Sequence, residues 1–244
     1  MAKLARAVYP ELLDSLPCDD PRAMQSRRDL QRVNSWMLQT KIMATMLSRH
    51  FDRTPKTILD LGSGDGALML GVANRLAPKW QGVTARLLDQ QDILSDETRQ
   101  AFEAIGWRVE SVVADVFDYL SHDAATTDII SANLFLHHFE NPDLARLLEL
   151  AAARTTLFVA CEPRRDRFSL MASSLVWVIG CNDITQWDAK TSVRAGFNNR
   201  DLSKLWPNQD DWVLDESPAK PFTHCFAARR SNSSQGDTPP VGSP

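Results

Sequence analysis

The chain has 244 residues, of which 43% are hydrophobic and 24% charged, the composition of a soluble globular protein. Its formal net charge is −4, so no overall positive field attracts phosphate backbones, and we expect no nucleic-acid partner. The four cysteines are scattered and form no C-x-x-C pair. They indicate reduced thiols in a cytoplasmic protein, with no disulfide and no metal site. The longest apolar stretch is too short to cross a bilayer, so we expect no membrane span.

Residues 1–54 precede the first predicted strand and are dominated by a helical pattern from Pro21 to His50. Apolar residues recur at the spacing of one helix face, and three more form a second apolar face. Because a helix that is apolar on two sides is usually buried, we expect one helix that covers a pocket, in an N-terminal helical lid or substrate region. The first face comprises Val33, Trp36, Met37, Thr40, Met43, Ala44 and Leu47, and the second Leu38, Ile42 and Met46.

After Pro55, strand patterns alternate with helix patterns. This predicts an α/β fold with a doubly wound sheet, mostly parallel with an antiparallel final strand, and helices on both faces. The predicted strands are Thr57–Leu61, Thr84–Leu88, Arg108–Val113, Asp128–Ala132, Thr156–Cys161, Trp212–Glu216 and Thr223–Ala228. The predicted helices between them are Ala67–Leu76, Asp96–Ile105 and Pro142–Ala153.

Residues 55–230 are expected to form one domain with an insertion at 164–207. The insertion is too long for a bare connector, so it should carry structure of its own. Residues 231–244 are rich in Ser, Gly and Pro, a composition that predicts a disordered tail.

Three glycines follow the first predicted strand, at positions 62, 64 and 66, and a helix pattern begins directly after them. Such a turn lets backbone amides approach a ligand. Gly62, Gly64 and Ala67 satisfy the G-x-G-x-x-G/A pattern of dinucleotide folds, so a nicotinamide or flavin cofactor is one interpretation. However, Asp60 and Asp65 would repel a pyrophosphate, whereas a ligand with an ammonium group and a sulfonium suits them.

The stretch from Asp60 to Gly66 resembles the first motif of the class I S-adenosylmethionine (SAM)-dependent methyltransferases, and the resemblance extends from Pro55 to about Arg229. It implies a Rossmann-like fold with SAM as cofactor, and the later motifs are similar to the bacterial small-molecule branch of the family. In that family the glycine turn contacts the methionine portion of SAM, here Gly62, Ser63, Gly64 and Gly66, while Asp60 orients the loop or the ammonium group.

The resemblance assigns the rest of the cofactor site to the ends of the next strands. Asp89, followed by Gln90, lies 23 positions after Gly66 (89 − 66), near the interval of about twenty residues expected for a ribose-binding carboxylate. Asp115 and Val116 match the residues that contact adenine. The alternatives are a solvated turn aspartate for Asp89 and a plain strand-end aspartate for Asp115.

The stretch after the fourth strand begins with Asn133 and Leu134, which the resemblance places beside the methyl-bearing end of SAM. The Pro-Pro-aromatic signature of methylases that act on amino groups of DNA and protein is missing from this stretch. This departure disfavours a nucleic-acid or protein-amide acceptor.

A hydroxyl acceptor needs a base, because a phenol with a pKa of about 10 is mostly protonated at neutral pH. His137 and His138, just past the fourth strand, are the nearest candidates, and His224 at the start of the last strand is the third. For each of them the alternative is a structural imidazole that caps a helix or binds a backbone carbonyl.

The acceptor chamber is expected between the N-terminal helix and the insertion, since both are rich in bulky apolar residues. The candidates are Trp36, Met37, Met43, Phe168, Leu170, Met171, Leu175, Trp177 and Phe197. Three charged residues of the insertion either orient the acceptor or form a salt-bridge set, namely Asp183, Asp188 and Arg194.

The predicted function is therefore SAM-dependent methylation of a small aromatic, phenolic or polyketide-type acceptor, with oxygen preferred over carbon or nitrogen. Two alternatives stay open: a SAM-binding protein without transferase activity, and a nicotinamide-dependent oxidoreductase. The oligomeric state is open as well.

Overall fold

A computed structural model describes residues 4–17, 19–122, 125–174 and 180–231, apart from the side chains of Asp14 and Trp36. Its core is a seven-stranded sheet with the order β3-β2-β1-β4-β5-β7-β6. All neighbouring strands are parallel except at β7, which runs antiparallel to both β5 and β6. The strands are β1 (Thr57–Leu61), β2 (Thr84–Asp89), β3 (Arg108–Val113), β4 (Thr127–Asn133), β5 (Thr155–Pro163), β6 (Trp212–Ala219) and β7 (Thr223–Arg230).

Helices cover both faces of this sheet. Residues of α2, α3 and α4 form the apolar core on one face, and residues of α5, α6 and α9 form the core on the other. The predicted fold class is thus confirmed, including the antiparallel final strand. The helices are α1 (Pro21–Trp36), α2 (Gln39–His50), α3 (Ala67–Leu76), α4 (Asp96–Ala104), α5 (Val116–His122), α6 (Asn141–Ala152), α7 (Arg167–Ser173), α8 (Asp183–Ala195) and α9 (Asp201–Leu205).

The central strands are buried on both faces, which explains their nearly unbroken apolar sequence. In β1 every residue from Ile58 to Leu61 is buried, and in β5 every residue from Leu157 to Pro163. Parallel strands covered by helices on both faces have this pattern. Polar side chains within such strands, Asp60 in β1 and Glu162 in β5, therefore need partners inside the protein.

The prediction of one helix from Pro21 to His50 is wrong, because the chain forms α1 and α2 with a break between them. Leu38 has a left-handed backbone with φ 58°, and its side chain is exposed. Asp20 caps the start of α1 by accepting a hydrogen bond from the backbone nitrogen of Arg22. The break lets α2 pack into the core against α3, while α1 contacts α8.

The predicted insertion does carry structure of its own, in α7, α8 and α9. α8 contacts α1 through a hydrogen bond of 2.7 Å between the hydroxyls of Ser26 and Thr185. The buried carboxylate of Asp29 accepts a hydrogen bond of 2.7 Å from the backbone nitrogen of Asn182. Of the predicted tail at 231–244, residues 232–244 lie outside the described residues. None of the described helices has the length and apolar character needed to cross a membrane.

Candidate active site

A large cleft lies at the carboxyl ends of the parallel strands, around the point where the strand order reverses between β1 and β4. Open α/β sheets bind their ligands at this point, because the loops there diverge to opposite faces. The cleft has a volume of about 1070 Å³. One half is formed by the loops after β1 to β4, and the other by α1, α2, α7, α8 and the N-terminal segment.

The glycine loop after β1 brings backbone close to the cleft. Its residues Gly62 and Gly64 have φ 66° and 57°, which favour glycine. A Cβ at Gly62 would lie 2.2 Å from the ring of Phe135, whereas a Cβ at Gly64 would meet nothing within 4 Å and enter the open cleft. The loop is tied to β2, since the backbone nitrogens of Gly62 and Ser63 donate to the carbonyl of Leu88.

Gly66 was predicted to contact the cofactor, but the structure does not place it in the cleft wall. It precedes α3, where an added Cβ would lie 2.8 Å from the side chain of Leu87 and 3.0 Å from that of Leu94. Its small size therefore serves the packing of the loop against β2. The other ten predicted cofactor residues line the cleft.

Asp60 lies at the end of β1 beneath the glycine loop and is only 3% exposed. Its Oδ1 accepts a hydrogen bond of 2.7 Å from the hydroxyl of Ser131. Burial raises the pKa of Asp60 to about 7, and the negative charge of Asp89 adds to this rise against the opposing Ser131 hydrogen bond. A cationic ligand above Asp60 would favour the ionised carboxylate.

The next two predicted carboxylates have fixed orientations. Asp89 accepts from the backbone nitrogens of Gly64 (2.9 Å) and Gln91 (3.0 Å). Asp115 accepts from the backbone nitrogen of Phe117 at 2.8 Å and so fixes the start of α5. Its other oxygen lies 3.4 Å from Nε2 of Gln90, and Val116 lines the cleft beside it.

The chain turns sharply after β4, where Leu134 has φ 51° and donates its backbone N–H to the carbonyl of Cys161. Asn133 Oδ1 and Ser63 Oγ are buried without a hydrogen-bond partner, and both residues line the cleft. Buried polar atoms nearly always have partners. A polar ligand between β1 and β4 would provide them, as the amino acid portion of SAM can.

His137 is enclosed between two carboxylates. Its Nδ1 lies 2.8 Å from Oε2 of Glu162, and its Nε2 lies 3.2 Å from Oε1 of Glu11. Burial alone would lower the pKa of His137, but the hydrogen bonds to both carboxylates outweigh it and raise the pKa to about 9. His137 is therefore protonated at neutral pH, and both of its nitrogens are hydrogen-bonded. This corrects the prediction of His137 as a candidate base for the acceptor.

Glu162 holds the turn that carries His137. Its Oε1 accepts from the backbone nitrogens of Phe135 (3.0 Å) and Leu136 (2.8 Å), and the carboxylate is fully buried. Glu162 is not among the predicted site residues. Its position could have indicated a role, because a lone carboxylate inside an apolar strand almost always has a partner.

Glu11 and Arg6, in the N-terminal segment before α1, are not among the predicted site residues, although residues 1–54 are predicted to form a lid or substrate region. Glu11 hydrogen-bonds both His137 and the hydroxyl of Ser192 in α8. Burial would raise the pKa of Glu11, but the bonds and charge of His137 outweigh it and lower the pKa to about 2. Arg6 binds the carbonyls of Ala195 and Phe139 at 2.7 and 2.8 Å. These contacts hold the segment against α8 and the turn after β4.

The other two predicted histidines have different surroundings. His138 lines the cleft with a partly exposed side chain, and its ring centroid lies 4.3 Å from that of His137. His224 is buried away from the cleft, where its Nε2 lies 2.7 Å from Oε1 of Glu216. Glu216 also accepts from the backbone nitrogen of Ser203 at the start of α9. The prediction of His224 as a catalytic residue therefore does not fit the structure.

The predicted segments do line one part of the cleft, but mostly through other residues. Of the predicted apolar side chains, Met37 lines the cleft. Met43 and Phe197 belong to the core, and Phe168 and Met171 are exposed on the outside. Leu170 is not among the residues of the cleft wall, and Leu175 and Trp177 lie outside the described residues. The lining from α7 and α8 consists of small or polar side chains, namely Ser169, Ala172, Ser173, Thr185, Asp188, Ala189, Ser192 and Val193.

The three charged residues of the insertion do not act together. Asp188 lines the cleft and accepts from the backbone nitrogens of Leu12 and Leu13 at 2.8 and 3.1 Å. Asp183 and Arg194 lie instead at a shallow groove on another side of α8. Neither predicted alternative, an acceptor-orienting set or a shared salt-bridge set, describes this arrangement.

Comparison with known proteins identifies the domain. Residues 58–156 match the family model described as a methyltransferase domain. This part of the chain contains the glycine loop and the ends of β1 to β4. These residues are therefore similar to a methyltransferase domain, as the resemblance of the glycine loop predicted. SAM is the cofactor to which this domain points.

Solved structures with the same fold include two methyltransferases and one protein of an O-methyltransferase family. The plantazolicin methyltransferase BpumL in complex with SAH is 16% identical, with a TM-score of 0.62, over 87% of this chain and 92% of that one. An O-methyltransferase family protein from Burkholderia thailandensis is 16% identical, with a TM-score of 0.58, over 90% and 64%. The mitomycin 7-O-methyltransferase MmcR is 20% identical, with a TM-score of 0.58, over 90% and 60%. No curated protein shows significant sequence similarity to the chain.

Proposed function

We propose that the protein transfers the methyl group of SAM to an oxygen of a small aromatic, phenolic or polyketide-type molecule. The main support for this proposal is the cleft of about 1070 Å³, which is lined by the strand-end loops and by the helices α1, α2, α7 and α8. This volume is at the upper end of the range for small-molecule sites, so it has room for a cofactor and an acceptor side by side.

In the cofactor half, the proposed contacts follow the strand ends. The backbone of Gly62, Ser63 and Gly64 would hold the methionine portion of SAM above Asp60. Asp89 and Gln90 would bind the ribose, and Asp115 and Val116 the adenine. The unpaired oxygen of Asn133 and the turn at Leu134 support a polar ligand portion at the boundary with the acceptor half.

When bound, SAM supplies a methyl group already activated by the sulfonium. The protein then has to align the acceptor and exclude water, which is worth up to about 7–11 kcal/mol when the geometry is good. α1 and α8 form the wall that would exclude water, since Ser26 and Thr185 join them. Of the predicted histidines, His138 has a partly exposed side chain in the cleft. We therefore propose that it acts on the proton of the acceptor's hydroxyl.

The acceptor class is supported by size, lining and relatives. Apolar Met37 and Phe222 face the cleft together with hydroxyl-bearing residues of α7 and α8, a mixture that suits a ring system carrying polar groups. Among the structural neighbours, MmcR is a mitomycin 7-O-methyltransferase, which favours oxygen as the methylated atom. The same comparison supports a role in secondary metabolism.

Transfer of a radioactive methyl group from SAM tests the proposal. The protein is incubated with labelled SAM and a panel of phenols, quinols and hydroxylated polyketides, and products are identified by mass spectrometry. We expect one added methyl group on oxygen in at least one compound class. If SAM binds but no acceptor in the panel or in cell extracts is labelled, the protein is a SAM-binding protein without transferase activity.

Binding of SAM should release a proton from Asp60. In the free protein the pKa of Asp60 is about 7, and the positive charges of SAM lower it, so affinity should rise with pH up to about pH 7 and level off by about pH 8. Titration calorimetry at pH 7 in two buffers of different ionisation enthalpy measures the released proton.

An Asp60→Asn variant should release less proton than the wild type and show a flatter pH dependence of affinity. An Asp118→Asn variant, changed at an exposed position of α5, should behave as the wild type. Equal proton release from the wild type and Asp60→Asn would show that Asp60 does not interact with the bound cofactor.

A His138→Gln variant should lower turnover by about 10²–10⁴-fold, the usual contribution of a group that acts on a reacting proton. Its SAM affinity should remain within a factor of two to three, because His138 lies in the acceptor half. Initial rates with a labelled acceptor and a SAM titration check both values. Full activity would show that His138 does not take part.

A further inference from the structure

Three side chains with metal-binding atoms meet in the acceptor half of the cleft. They are Glu11 from the N-terminal segment and His137 and His138 from the turn after β4. One ligand atom from each lies within 4.8 Å of the other two, and all three residues line the cleft. Two imidazoles and one carboxylate are a donor set that first-row divalent transition metals prefer.

The distance between two of these ligands already fits a shared metal ion. Nε2 of His137 and Oε1 of Glu11 are 3.2 Å apart. Neighbouring ligands on a tetrahedral or octahedral ion, with bonds of about 2.1 Å, lie about 3.0–3.4 Å apart. His138 completes the set with a movement of its side chain, which is only partly buried.

The second ring nitrogen of His137 is arranged as in metal-bound histidines. These usually donate the remaining N–H to a carboxylate, which fixes the tautomer and the ring orientation. Nδ1 of His137 faces Oε2 of Glu162 at 2.8 Å, and the other oxygen of Glu162 is held by two backbone N–H groups. Nε2 is thereby directed toward Glu11 and the cleft.

The negative charge of the carboxylates around His137 also favours binding of a cation. The side chain of Glu162 is fully buried and that of Glu11 is 12% exposed. The carboxylate of Asp188 lies nearby, since it accepts from the backbone nitrogens of Leu12 and Leu13, directly after Glu11. The guanidinium of Arg6 compensates part of this charge from the side of the His137 carbonyl. A proton on His137 supplies one further positive charge, and a divalent ion in its place would supply two.

We propose that Glu11, His137 and His138 bind a first-row divalent transition metal ion, which in turn binds the hydroxyl oxygen of the acceptor. The inference rests on the proposed methyl transfer and replaces the expectation of no metal site. With the ion bound, His138 would act on the acceptor's proton through the ion and not as a base itself, and the acceptor oxygen would lose that proton to solvent. The O–CH₃ bond then forms as the C–S bond breaks, and both electrons of that bond go to sulfur, which leaves as a neutral thioether.

Cobalt(II) binding to the full chain tests the site without reference to activity. The visible absorption and stoichiometry of Co²⁺ are measured at pH 8 after treatment with a chelator, and Zn²⁺ is used in competition. We expect one Co²⁺ per chain, displaced by Zn²⁺, and affinity at least about tenfold lower in Glu11→Gln and in His138→Gln, since even changes outside the ligand set cost about that much.

The exposed histidine of α5 provides the matched control, since His122→Gln removes an imidazole far from the cleft and should bind Co²⁺ as the wild type does. Circular dichroism checks that each variant is folded. Lack of stoichiometric Co²⁺ and Zn²⁺ binding, or unchanged binding in both ligand variants, overturns the metal site. If methyl transfer then continues in the presence of chelator, the proposed function stands without it. If the metal binds but no acceptor is methylated, the proposed methyl transfer is contradicted and the proposed metal site is supported.

Discussion

Replacing Gly64 by valine should weaken SAM binding at least about 100-fold, equivalent to about 2.7 kcal/mol. Two effects act together. The backbone of Gly64 has φ 57°, and a β-branched residue there costs about 1–2 kcal/mol or more. The new side chain also enters the open cleft, since nothing lies within 4 Å of the added Cβ, and so it occupies space that the cofactor needs. Titration calorimetry with SAM measures the loss.

Gly82→Val is the matched control for the backbone strain. Gly82 has φ 69°, also has nothing within 4 Å of an added Cβ, and lies just before β2, at the opposite edge of the sheet from the cleft. Both variants should lose a similar free energy of unfolding, measured with urea, but only Gly64→Val should lose SAM affinity. Wild-type affinity in Gly64→Val would contradict the assignment of the glycine loop to the cofactor.

Replacing Glu162 by alanine should lower the free energy of unfolding by about 3–5 kcal/mol, as expected when one partner of a buried ion pair is removed. The change leaves His137 without one of its carboxylates and the backbone nitrogens of Phe135 and Leu136 without an acceptor. Because this turn follows Asn133 and Leu134, SAM affinity should fall as well. Urea unfolding and SAM titration measure the two losses.

Glu216→Ala removes a similar carboxylate elsewhere in the fold. Glu216 contacts His224 and accepts from the backbone nitrogens of Leu202 and Ser203, but none of these residues lines the cleft. A comparable loss of stability with unchanged SAM affinity is expected. A loss below about 1 kcal/mol in Glu162→Ala, the range of ordinary surface substitutions, would show that Glu162 does not hold the turn.

The cofactor half was largely predictable, because its residues follow strands whose apolar patterns are local. The predicted bounds of β1, β3 and α3 are those of the structure. Once these strands are parallel neighbours, Asp60, Asp89, Asp115 and Asn133 must lie at one sheet edge. Gly66 departs from the prediction because a motif shows which residues form a turn, but not which side of it packs inward.

The acceptor half could not be predicted from local patterns. Glu11 and His137 are 126 positions apart, and the segment before α1 has no helical or strand periodicity that would place it. The break at Leu38 depends on tertiary packing that outweighs a continuous helical pattern. For the same reason Met43 lies in the core, although its spacing in the sequence is that of the residues expected to face a pocket.

The cleft above Asp60 is expected to bind a cationic sulfonium compound in preference to a dinucleotide. Titration of the wild-type protein at pH 8 with SAM, with SAH and NADH as competitors, tests it most directly. We expect one site per chain with a micromolar dissociation constant for SAM, competition by SAH and no competition by NADH. Saturable binding of NADH by a protein that does not bind SAM would contradict it.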